Sequence, residues 1–198
     1  MESWNESAFL WLNASAHPLP MLLLLARGLA EYLFWLLPAG LVWGWLRGDD
    51  ETRTALLAAA IAGLVGMGIN QLIGLVYVHP RPFMLQLGHT FLAHAPDSSF
   101  PSDHLTLIWA TAFSLWLAPA TRRMGVMCAL LGLPVAWARI YLGVHFPLDM
   151  LAAAGIGALA AYWAMFRACW LISPLLRAAL ALYRRAFAPL IVRGWVKA

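Results

Sequence analysis

Charge is what this chain has least of. Only 11% of its 198 residues are Asp, Glu, Lys or Arg, against 63% hydrophobic side chains, and the mean hydropathy is +0.74. A soluble domain is roughly 45–50% apolar, so this composition excludes an ordinary water-soluble fold and makes the chain an integral membrane protein. Cysteine is nearly missing: Cys128 and Cys169 lie in or beside apolar runs, which supports neither a disulfide framework nor a zinc knuckle. A basic stretch ahead of the first apolar run is missing too. The opening residues carry Glu2 and Glu6 instead, so no cleaved signal peptide is expected. The formal charge of +4 comes without a basic stripe interleaved with exposed aromatics, which sets nucleic-acid binding aside and suits side chains facing an anionic leaflet.

Apolar runs and their breaks predict an all-α fold, a polytopic transmembrane helix bundle of about five spans with interfacial N- and C-terminal helices, in one domain over residues 1–198. Residues 3–14 set Trp4, Phe9, Leu10 and Trp11 among Asn and Ser, so residues 1–18 are read as an interfacial segment. Residues 19–46 outrun the roughly 20 that cross a bilayer, which predicts a first span tilted, or bent near Pro38. The second span is expected over 54–78, with Gly63, Gly66 and Gly68 as a small-residue face for a neighbouring helix. The third and fourth fall at 103–117 and 124–141, and the fifth opens at Pro147 with Ala153, Gly157 and Ala161 as a second packing face. Beyond Arg167, Pro174, Arg177, Arg184, Arg185, Pro189 and Arg193 break the apolar runs, so residues 168–198 read as a basic amphipathic tail on the surface. Five passes put Arg47, Arg53, Arg122, Arg123 and the tail on one side, cytoplasmic by the positive-inside rule, and residues 79–101 and 142–146 on the other.

The few polar groups gather on that second side. His145 and Asp149 are i, i+4 neighbours at a helix start, and a carboxylate that takes the proton of one imidazole nitrogen frees the other as nucleophile or base. A lone histidine there is as well read as a cap. Arg139, at the end of the fourth span, shifts the balance, because a guanidinium at that depth needs an anion and its fork of donors suits phosphate. Ser102 is expected to cap the third span through its hydroxyl, at a helix mouth where free N–H groups favour an anion. For Ser102 and Asp103 alone an ordinary cap with an acidic first turn is the simpler reading. His104 supplies a second imidazole, the pair that phosphoryl chemistry needs. His79, His89 and His94 lack ligand spacing and read as surface residues of the long loop.

Arg81-Pro82, then Pro101-Ser102-Asp103-His104, then Arg139 with His145 and Asp149 resemble the three signature motifs of the PAP2 (type 2 phosphatidic acid phosphatase) superfamily. Pro80-Arg81-Pro82-Phe83, Ser99-Phe100 ahead of Pro101, and Tyr141-Leu142-Gly143-Val144-His145 resemble more narrowly its short bacterial BcrC/YbjG-type undecaprenyl-diphosphate phosphatases. The resemblance implies His145 as a nucleophile that forms a phosphohistidine, Asp149 as its orienting partner, and His104 as the group that protonates the departing phosphate and then activates water. It implies that Arg81, Arg139 and Ser102 hold the phosphate oxygens, with Pro101 and Asp103 in the same binding stretch. Gly74 stands where many members carry lysine, seven residues before Arg81, and Ala138 where serine often precedes the arginine. Arg27, roughly 12 Å into the first span and at a depth comparable to Gly74, could serve the second phosphate; as an i, i+4 partner of Glu31 it could equally be structural.

The implied activity is hydrolysis of undecaprenyl diphosphate at the outer face of the bacterial cytoplasmic membrane, facing periplasm or exterior. That reaction recycles the carrier for peptidoglycan and bears on bacitracin resistance. No metal or other cofactor is implied, and the implied partners are a polyprenyl diphosphate lipid and the membrane. Other readings are a PAP2-type enzyme on phosphatidylglycerophosphate, phosphatidic acid or lipid A, a metal-dependent hydrolase, and a non-enzymatic scaffold or efflux component.

Overall fold

The computed structural model describes residues 2–197, and they form α-helices and short 3-10 turns joined by loops. The order is α1 (Glu2–Leu12), α2 (Pro20–Glu31), α3 (Leu36–Arg47), α4 (Asp50–Val76), α5 (Asp103–Leu117), α6 (Arg122–Tyr141), α7 (Pro147–Phe166), α8 (Cys169–Ala186) and α9 (Ala188–Val192). Proline opens α2 and α7 at the first helical position, where its missing N–H would be unpaired in any case. Asp49 caps α4 by accepting from Thr52 N at 2.9 Å.

The long first apolar run is interrupted by a 3-10 turn at Leu33–Trp35. The cause is Pro38, which cannot bond to the Phe34 carbonyl four residues back and whose ring would strike it. Four stretches are long and apolar enough to cross a membrane: Pro20–Arg47, Asp50–Val76, Pro119–Tyr141 and Pro147–Phe166. The expected third span differs from them. Helix α5 has 15 residues, about 22 Å of rise, short of a full crossing. It nevertheless runs the length of the bundle between the loop before Asp103 and the Pro119–Thr121 turn, and α4, α6 and α7 all pack around it.

Small residues set how closely these helices approach. A Cβ on Gly157 of α7 would stand 2.8 Å from the Ala110 backbone N of α5, and one on Gly66 of α4 would stand 2.9 Å from Thr106 Cγ2. Gly68, grouped with Gly63 and Gly66 by sequence, has nothing within 4 Å of such a Cβ and belongs to no interface. Leu105, Ile108, Trp109, Val135 and Ile140 fill the centre of the bundle.

The two ends of the chain are docked rather than loose. Phe9 of α1 is fully buried against the Phe146 ring at 5.3 Å between centroids, and Asn5 Oδ1 accepts from Leu148 N at 3.0 Å. Helix α1 therefore packs over the start of α7, while Trp4 and Trp11 remain exposed. At the other end Arg53, expected in a charged turn, is fully buried. Its guanidinium donates to Trp45 O at 3.1 Å and Lys197 O at 2.9 Å, pairs with Asp50 at 3.2 Å, and lies over the Tyr183 ring of α8.

Candidate active site

Three helix ends meet at one end of the bundle. After α6 the chain turns through Gly143, whose φ of +82° suits a residue without Cβ, and Val144 N donates back to Arg139 O at 3.2 Å. That turn folds His145 onto Arg139. Asp149, the third residue of α7, reaches back so that its Oδ2 accepts from Phe146 N at 2.8 Å and faces His145 Nδ1 at 3.1 Å. Ser102 N donates to Asp149 O at 3.4 Å, which ties the start of α5 to the start of α7.

The other ring nitrogen of His145 lies between two guanidinium groups. Arg81 Nη1 is 3.1 Å and Arg139 Nη2 is 3.3 Å from Nε2. Arginine only donates, so Nε2 is the accepting, unprotonated nitrogen and the proton sits on Nδ1, toward Asp149. Burial first, and then the charges of Arg139 and Arg81, hold this imidazole well below the usual histidine value, so it is neutral at pH 7. Arg81 is fixed further by Val144 O at 2.9 Å, Ser98 O at 3.1 Å and Asp97 Oδ1 at 2.8 Å. Two buried donors have no partner among the described residues, Ser102 Oγ and Arg139 Nε. A neutral imidazole aligned by a carboxylate, with guanidinium groups at its free nitrogen, can attack an anionic phosphorus and stabilise the oxygens that gain charge.

The sequence-selected residues do not all converge. His104, on α5, is half-buried with its ring edge on Phe34 at 5.5 Å between centroids, and acts on His145 and Arg139 through space rather than by a direct bond. Ser102 occupies the N-cap position, but the expected cap hydrogen bond is not made. Asp103 turns away from His145: its carboxylate accepts from Asn70 at 2.8 Å. With Pro101, Gly74 and Asp97 it lines a polar groove beside α4. Arg27 makes no ion pair with Glu31 among the described residues; its Nε donates to Phe91 O at 3.1 Å, bracing the loop rather than joining the His145 group.

Two loop histidines read as surface residues are not on the surface. The His94 ring stands edge-on to His145 at 6.2 Å, and its Nδ1 is 3.6 Å from the same Asp97 oxygen that binds Arg81. Burial and the nearby Arg81 charge lower its proton affinity. His79 is buried behind the site. Asp97, three residues from His94 and five from Ser102, is the part sequence reasoning passed over. The one signal for it was a carboxylate inside a loop too long to be a mere connector.

Residues 51–172, which hold all of Arg81, Ser102, His104, Arg139, His145 and Asp149, match the model of the PAP2 superfamily. The chain is similar to YbjG of Escherichia coli (strain K12), 35% identical over 201 residues that cover 100% of this chain and 99% of that one. It is 43% identical to the undecaprenyl-diphosphatase BcrC of Bacillus subtilis (strain 168) over 107 residues, 54% of each chain. Its fold is similar to the crystal structure of Aquifex aeolicus LpxE, with a TM-score of 0.67 at 22% identity, covering 82% of this chain and 94% of that one.

Proposed function

Because the chain belongs to the PAP2 superfamily, we propose that it is a membrane undecaprenyl-diphosphate phosphatase working through a phosphohistidine on His145. The observation that carries this reading is His145 itself, with Nδ1 on Asp149 and Nε2 between Arg81 and Arg139. As the terminal phosphate arrives, the two guanidinium groups exchange Nε2 for its non-bridging oxygens, joined by the unpaired donors Ser102 Oγ and Arg139 Nε. Nε2 forms a bond to phosphorus while the bond to the bridging oxygen breaks, and the positive charge left on the ring is balanced by Asp149. Protonated His104 gives its proton to the departing lipid monophosphate. Neutral His104 then takes a proton from water, the hydroxide attacks phosphorus, and the P–N bond breaks to return His145 and release inorganic phosphate.

The polyprenyl diphosphate reaches the site from the membrane, and the site faces the periplasm or cell exterior of a bacterial cytoplasmic membrane. Support for that orientation is the arginine-rich opposite end.

The test is phosphate release by purified protein from undecaprenyl diphosphate, phosphatidylglycerophosphate and phosphatidic acid, with and without EDTA, together with acid quenching to trap labelled enzyme. Undecaprenyl diphosphate should be the best substrate, EDTA should leave the rate unchanged, and His145→Ala should lose both turnover and the acid-labile label. Full turnover in His145→Ala would refute the mechanism, and a stronger preference for another lipid would refute the substrate.

A further inference from the structure

Helix α1 brings a carboxylate to the rear of the site. Glu2 Oε1 lies 3.0 Å from Nε2 of His79, whose ring is stacked on Tyr77 at 6.1 Å and edge-on to Phe146 at 5.3 Å. His79 Nδ1 is 2.9 Å from Oγ of the fully buried Ser99. The Ser99 hydroxyl interacts in turn with the Asp149 carboxylate but closes no direct bond to Oδ1, which has no partner, whereas Oδ2 carries both Phe146 N and the His145 ring.

The single hydrogen of the Ser99 hydroxyl decides what Asp149 receives. Glu2 only accepts, so Nε2 of His79 bears a hydrogen. In the neutral ring Nδ1 is then a lone pair that takes the Ser99 O–H, and Oδ1 gets nothing. In the imidazolium Nδ1–H donates to Ser99 Oγ, and the hydroxyl hydrogen is released toward Oδ1. We propose that His79 is a positioning residue of this site: as an imidazolium paired with Glu2, it turns the Ser99 hydroxyl onto Asp149 and so fixes the carboxylate that aligns His145. This rests on His145 as the nucleophile. The titratable or charged groups around the ring are Glu2 from α1 and Tyr77 beside it; Asp149 lies beyond Ser99, with Arg81 on the far side of His145.

The experiment is the kcat–pH profile on undecaprenyl diphosphate of the detergent-purified full chain and of Glu2→Gln, His79→Gln, Ser99→Ala and the Glu2→Gln/His79→Gln double variant. A thermal melt of each checks the fold. Without the Glu2 charge the imidazolium loses its counter-ion, so the basic limb of kcat moves to lower pH in Glu2→Gln with KM unchanged. A limb set by His104, which makes no contact with Glu2, would stay in place. His79→Gln and Ser99→Ala should lower the kcat plateau about ten- to hundredfold, the worth of one hydrogen bond to a charged group. The double variant should equal His79→Gln alone. Glu2 is more than half exposed, so Glu2→Gln keeps the test free of a folding defect. A Glu2→Gln profile superimposable on wild type, or losses that simply add in the double variant, would overturn the relay while labelled His145 stands. Absence of label on wild-type His145 would overturn the nucleophile assignment itself, by a separate measurement.

Discussion

Ser102 holds the N-cap of α5 with extended dihedrals, φ −72° and ψ 116°, yet the hydroxyl that makes serine a good cap bonds to nothing. A buried hydroxyl left unpaired costs about 1–3 kcal/mol. A residue kept for folding would be used by the helix; one kept for a phosphate oxygen would be left like this. Ser102→Ala should therefore leave the melting temperature in detergent unchanged or raise it, while kcat/KM falls about ten- to hundredfold for the loss of one hydrogen bond to a charged oxygen. A lowered melting temperature with unchanged kcat/KM would make Ser102 a plain cap. The grouping of Arg139, His145 and Asp149 is legible in the sequence because their spacing is carried by the end of one helix and the start of the next. Arg81 is legible through its motif. His94, Asp97 and His79 are not, because the loop that holds them is shaped by tertiary bonds: Arg81 to Ser98 O, His79 N to Ser98 Oγ at 3.1 Å, and Ser99 N to His79 O at 2.8 Å. No local periodicity encodes those.

Helix α5 shows what short means in a membrane. Thr106, Thr111 and Ser114 are buried along with its apolar residues, since helices surround it on several sides. Hydropathy finds such a helix readily but cannot tell it from a lipid-facing span, and this is why five similar spans are expected where one is short and central. The interfaces around it are likewise half legible: Gly63, Gly66, Gly68 and Gly157 all look alike in sequence, and only a neighbour distinguishes them. Gly157→Ala would press a methyl onto the Ala110 and Trp109 backbone, which cannot yield as a side chain end can. It should destabilise the bundle by about 1–3 kcal/mol. Gly68→Ala meets open space and should be neutral or stabilising by up to about 1 kcal/mol, from helix propensity alone. Thermal unfolding of the two variants in one detergent decides it; equal stabilities would mean α5 and α7 do not pack backbone to backbone.

At the scale of the whole molecule the arginines divide into two kinds. At the site end Arg81 and Arg139 are buried on His145, and Arg27 is engaged by Phe91 O, so their charge is committed to protein contacts and weighs little in orienting loops. At the opposite end Arg47, Arg122, Arg123, Arg184 and Arg185 flank helix ends, and Arg184 meets only the half-exposed Asp50 at 3.3 Å. Loop charge of this second kind is retained on the cytoplasmic side. The docked tail reinforces the division, because Arg53 and Lys197 hold α8 and α9 at that same end. The expected arrangement is thus the His145 site outside and the tail inside. In a background with Cys128 and Cys169 replaced, a single cysteine at the exposed loop residue Ala93 should react with a membrane-impermeant maleimide in intact spheroplasts. One at Ala186, the last residue of α8, should react only after permeabilisation. Gly88 would be a poor loop probe, since its φ is +63° and a Cβ there would press on Asn13 and Phe9. Labelling of Ala186→Cys with Ala93→Cys protected would turn the bundle over, moving hydrolysis to the cytoplasmic leaflet and removing any role in recycling carrier released outside.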